Sequence, residues 1–153
     1  MSVDTSQLKG FSEKLKTLNG AEKEQFIIDA CNDVGNQILA KAIKNTDERI
    51  YQTDEPKGYK RTGNLFRSWA MKSAEKVGDT YRAEVFNDAR SETGEPYPVY
   101  LEYGHRTPNH KGWVEGKFML TDAVLDVVHK DNPELREKLK KKVRGIFNGG
   151  NRN

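Results

Sequence analysis

Apolar positions fall into helical spacings toward both ends of the chain and alternate only in its middle. Leu8, Phe11, Leu15 and Leu18 recur at intervals of three and four behind Asp4 and Gln7, which have capping-box spacing, so a short first helix is predicted. Asn19 and Glu22 repeat the start signal. Ile27, Cys31, Val34, Ile38 and Ala42 then form a long apolar stripe that predicts a second helix ending near Asn45.

From Asp47 to Lys60 no period is sustained and Pro56 and Gly58 act as breakers, which predicts a long loop, mobile in the free subunit. Thr62 can cap a short helical turn through Gly63, Asn64, Leu65, Phe66 and Arg67. WAMKSAEK, a turn at VGDT, and YRAEVFN predict a β-hairpin, because Tyr81, Ala83 and Val85 alternate with Arg82 and Glu84. An isolated hairpin is marginal in water, so the sheet is expected to continue elsewhere. Phe118, Met119, Ala123, Val124, Val127 and Val128 fit a buried helix. Asn132 as cap and Pro133 at the first position open a last helix with Leu135, Leu139, Val143 and Ile146 on one face.

These elements predict an α+β fold: N-terminal helices, an antiparallel sheet containing the hairpin and packed on a long helix, and C-terminal helices. The 153 residues suffice for one domain, placed at 1–148, with a flexible tail at 149–153. At 35% hydrophobic and 32% charged the core is lean, which suits contacts with other subunits. A net charge of +3 does not recruit nucleic acid by charge alone. The basic run LKKKVR, Leu139 to Arg144, reads as the solvated face of the last helix. The single Cys31 sits at a core-like position and reads as a small buried hydrophobe in a reducing compartment. No signal peptide or membrane span is predicted.

Glu102 and His105 carry the Glu-x-x-His spacing, which on a helix puts a carboxylate and an imidazole on one face. A dinuclear site needs a second such pair, which the sequence lacks. His105 and His110 make two ligands where zinc sites take three or four, and Glu115 has no geometric reason to join them. No serine sits in a Gly-x-Ser-x-Gly elbow and no phosphate loop is present. No catalytic residue, metal or cofactor is therefore assigned and the chain is expected not to be an enzyme. The alternative is a small metal-dependent nuclease using the His105/His110 loop, with Asn109 beside them.

YPVYLEYGHRTPNHKGW, Tyr97 to Trp113, holds three tyrosines and a tryptophan beside two prolines and two glycines. Tyr100 and Tyr103 would share one face of a short helix begun by Pro98 and ended by Gly104, whereas Val99, Leu101 and Tyr103 could equally alternate as a strand. Ordinary packing and interface anchoring fit these aromatics equally well.

The order of the pieces resembles the small tail-completion and head-tail joining proteins of long-tailed bacteriophages. TGNLFRSW supplies Thr62, Gly63, Leu65 and, after one extra residue, Arg67 and Ser68 to their Thr-Gly-x-Leu-Arg-Ser-like piece. YPVYLEYGHRTP supplies Tyr97 or Tyr100, Glu102, Tyr103 and Gly104 to the next, and Phe118 leads into the final core helix. Pro98 stands where alanine is usual and His105 where threonine is usual. The resemblance implies a structural virion protein without catalysis, forming a homo-oligomeric ring, commonly a hexamer, that terminates the tail and joins it to the head. Implied partners are the chain itself, a tail tube protein and a head-completion or neck protein, with double-stranded DNA only as non-specific cargo and no membrane. Assembly in the host cytoplasm and residence in the virion follow. Tyr100, Tyr103, Gly104, His105, Trp113 and Phe118 are the expected interface residues, and Thr62, Gly63, Leu65, Arg67 and Glu102 the expected structural ones.

Overall fold

A computed structural model describes residues 20–55, 60–107, 109–129 and 133–148. The predicted first helix and the tail at 149–153 lie outside the described residues. Helix α1 spans Gly20–Thr46, with Glu22 in its first turn and Lys44 in its last, both favourable to the helix dipole. It lies across the hairpin β1 (Trp69–Val77) and β2 (Thr80–Asn87), but Ile27 of its stripe stays exposed and Cys31, expected to be buried, is only part-buried. Gly35 allows the close approach: a Cβ there would lie 2.6 Å from Met71 Sδ.

The strands pair antiparallel from Trp69↔Asn87 to Val77↔Thr80, with Gly78 at positive φ in the turn. A bulge between Lys72 and Glu75 interrupts the register, and Asn32 of α1 accepts the freed Ala74 N–H at 2.7 Å. The expected continuation of the sheet is not found among the described residues, where β1 and β2 pair only with each other. Helix α1 replaces the missing strands by covering one face.

The predicted loop at Asp47 is also corrected. The helix continues through Asp47–Tyr51 as a π-turn, closed by Gln52 N–H donating to Asp47 O at 2.9 Å. Tertiary contacts outweigh the absent period here, because Ile50 packs on the core and Arg49 binds a distant segment. Beyond it, Arg61 donates to Asp54 O at 2.8 Å and to Thr53, tying down the near end of the loop, while residues 56–59 lie outside the described set.

Helix α2 (Asn64–Arg67) begins at Gly63, whose φ of 75° suits glycine. Thr62 Oγ1 accepts the Asn64 N–H at 3.3 Å, and the Arg67 guanidinium folds back to Thr62 O at 2.9 Å. Leu65 enters the core with Ala89 and Met119, flanked by Trp69, Tyr97 and Leu101. Thr62, Gly63, Leu65 and Arg67 therefore act as one local structural unit.

Helix α3 is Pro98–Tyr103, β3 is Gly104–Arg106 and β4 is Trp113–Glu115. Helix α4, Met119–Val124, runs into a second π-turn at Leu125–His129, and α5 is Pro133–Asn148. The expected buried helix loses two members. Phe118 stands in a left-handed turn before α4, and Val128 lies in the π-turn, where the period departs from 3.6; both are exposed. Within α5, Lys138 pairs with Glu134 and Lys140 with Glu137 on the exposed side, whereas Lys142 turns in to pair with Asp33 of α1, so the basic run is not wholly a solvated face. No helix among the described residues is long and apolar enough to cross a membrane.

Candidate functional site

Pro98 at the first position starts α3 and Gly104, at φ 81°, ends it, so the helical alternative for this stretch is the one realised. One side of α3 turns inward. Leu101 packs on the core and Glu102 is only 7% exposed. The Glu102 carboxylate accepts the N–H of Leu120 at 3.0 Å and of Thr121 at 2.7 Å. It thus caps α4 from elsewhere in the chain, where Phe118 supplies no side-chain cap. The helix has ended before His105, so Glu102 and His105 do not share a face as their spacing suggested.

The other side of α3 turns outward. Tyr100 is 54% exposed, Tyr103 60% and, across the β3–β4 hairpin, Trp113 55%. The His105 ring meets Tyr100 edge-on with centroids 5.9 Å apart. His105 pairs with Val114 and Arg106 with Trp113 in the hairpin register. With Val99, Val114 and Phe118 also exposed, these residues form an apolar aromatic arm that the described residues leave uncovered.

The base of the arm is a close backbone crossing. Lys117 N–H donates to Leu101 O at 2.7 Å and Phe118 N–H to Glu102 O at 3.1 Å. A Cβ at Gly116 would lie 2.6 Å from Glu102 O, and one at Gly104 would clash with Val114 O. Arg49, from the π-turn after α1, donates to Lys117 O at 2.6 Å and Phe118 O at 3.0 Å and pairs with Asp122 at 2.8 Å. Asn45 Nδ2 donates to Met119 O at 2.9 Å. Arg49, Glu102 and Asp122 all bond the backbone of Phe118, whose φ is 46°, and Asn45 holds the next residue, so the base of the arm is pinned from several elements.

The hairpin loop is internally bonded. Thr107 Oγ1 donates to Asn109 Oδ1 at 2.7 Å, and Asn109 Oδ1 also accepts the Lys111 N–H at 3.1 Å. His110 is exposed at the turn, with φ 56°. Among the described residues no group of three or more His, Cys, Asp or Glu is placed to hold a metal ion. Asn109 organises its own loop and Glu102 caps a helix, so the nuclease alternative finds no support in the geometry.

All six expected interface residues lie on the arm or at its base. The sequence reasoning missed Asn45, Arg49 and Gly116. Asn45 stood at the predicted end of the helix and Arg49 in the predicted loop, and nothing local named their distant acceptors. No curated protein and no solved structure gives a significant match. Residues 9–104 match a family described as "Bacteriophage HK97-gp10, putative tail-component", a span running from before α1 through α3 and ending where β3 begins. With more than half of its length matched, the chain belongs to the HK97-gp10-like family of bacteriophage tail components.

Proposed function

We propose that the chain is the subunit of a six-membered ring that completes the head-proximal end of the tail and joins it to the head. Copies of the chain contact one another and the flanking tail tube and neck proteins, and DNA passes through without sequence recognition. Membership of a tail-component family supports a structural role in the virion. The observation that carries the contact surface is the aromatic arm: Tyr100, Tyr103 and Trp113 are each more than half exposed on a base fixed by Glu102, Arg49 and Gly116. Large, stiff aromatics on a rigid support suit interface anchors. Closed rings repeat one heterologous contact at every subunit, so a modest contact is multiplied by closure.

Mass photometry and negative-stain imaging of the purified chain, alone and with tail tubes, test this reading. Rings of a single size, or rings formed only on tube ends, are expected. A chain that stays monomeric with tubes and neck proteins present contradicts it.

A further inference from the structure

A contact that closes into a ring sets one patch of a subunit on a different patch of the next, so an arm that projects from every copy requires a receptor elsewhere on the chain. Among the described residues an apolar recess stands apart from the arm. A groove of about 470 Å³ lies between α1, β2, α4 and α5. Phe26, Ile27, Cys31 and Val34 of α1 line it with Leu120 and Val124 of α4, and none of these six is fully buried. Its size falls within the range of about 300–1,000 Å³ that receives ligand-sized groups, and half-covered apolar surface gains from being filled.

The charges beside the two surfaces are opposite. In the β3–β4 hairpin Arg106 stands directly across from Trp113, so cation and indole share a face. Neither Arg106 nor Lys111 forms an ion pair among the described residues, and Glu115 is the only carboxylate in the hairpin. On α1, Glu22, Asp29 and Asp33 run at helical spacing along one edge of the groove-lining face, and Lys23 is the only basic residue between them. Lys142 of α5 pairs with Asp33 at 3.0 Å and reaches Asp29 only at 3.8 Å.

We infer that the arm of one copy seats Trp113 in the α1–α4 groove of the next copy, with Arg106 turned toward the α1 carboxylates. This rests on the ring reading and names the surface that the arm meets in it. Packing of arm on arm would instead be two-fold and would stop at a dimer.

Cys31 is the only cysteine and lines the groove, so it reports on the occupant. Glu115→Cys adds a thiol about 7 Å along β4 from Trp113 on the same hairpin face and keeps the aromatics and both cations. Treated with a short bismaleimide during assembly with tail tubes, this variant is expected to give a ladder of linked chains that ends at the subunit number of the ring. The ladder is expected to vanish when Cys31→Ala is added. Dimers as the only product, unchanged by Cys31→Ala, overturn the inference, since arms would then meet arms. A link within one chain also overturns it. Rings that form without a ladder overturn the inference and leave the ring reading standing, whereas a chain that gives neither overturns both. A second measurement needs no substitution: alkylation of Cys31 is expected to be about tenfold slower in the assembled ring than in the free subunit, and an equal rate overturns the inference.

Discussion

The Glu102 carboxylate accepts the backbone N–H of Thr121 at 2.7 Å, across 19 residues of chain, and so joins the inner side of α3 to the start of α4. A residue that looked like half of a metal motif is instead the cap of a neighbouring helix.

Replacing Glu102 with alanine leaves two N–H groups at the start of α4 without their acceptor and is expected to cost about 2 kcal/mol of stability. Glutamine keeps one acceptor oxygen and loses the charge that favours a helix N-terminus, so about 1 kcal/mol is expected. Urea unfolding of the two variants checks the order. Equal stability of Glu102→Ala and the unsubstituted chain would show that the cap is dispensable.

Gly116 and Gly35 both lie where a Cβ would meet a neighbour at 2.6 Å, yet the neighbours differ. At Gly116 the neighbour is the backbone of Glu102; at Gly35 it is the flexible Met71 side chain. Gly116→Ala is therefore expected to destabilise by about 2 kcal/mol. At Gly35→Ala the displaced methionine is offset by the better helix propensity of alanine, leaving a change below about 1 kcal/mol. Thermal midpoints of the two variants separate these cases, and the reverse order would contradict the crossing at the arm's base.

One guanidinium nitrogen of Arg49 lies within bonding distance of Lys117 O, Phe118 O and the Asp122 carboxylate. A lysine side chain reaches one bond less far than the arginine Nη and is expected to hold fewer of these acceptors, costing about 1 kcal/mol. The more telling readout is local. Amide exchange at Lys117 and Phe118, which bond α3 at the base of the arm, should accelerate in Arg49→Lys more than exchange along β1 and β2. Uniform acceleration would mean that Arg49 stabilises the fold without fixing the arm.

Elements whose signal is local were legible in the sequence. The apolar stripe from Ile27 to Ala42 gave α1 and alternation gave the hairpin, while Pro98 and Gly104 marked the bounds of α3 without deciding between helix and strand. What failed was set by contacts distant in sequence. The π-turn after Thr46 has no period of its own and is held through Arg49 and Ile50, while Phe118 leaves the helical pattern because Arg49 and Glu102 O bind its backbone. The same limit applied to the arm. Its aromatic content was visible in the sequence, but whether Tyr100, Tyr103 and Trp113 faced the core or solvent depended on Leu101 and Glu102 taking the inward side of α3.

The proposed function requires the aromatic arm to serve contact between proteins rather than internal packing. Tyr103→Ala and Trp113→Ala measure it most directly when each variant is assayed for monomer stability and for completion of tails in an assembly reaction. At 60% and 55% exposed, the two side chains bury little within the subunit, so each substitution is expected to change monomer stability by less than about 1 kcal/mol. Each is also expected to weaken assembly by about 2 kcal/mol per contact, repeated at every interface of a closed ring, so that tails remain incomplete. A monomer destabilised by about 3 kcal/mol or more, as for a core aromatic, with no assembly defect beyond that loss, would contradict the account.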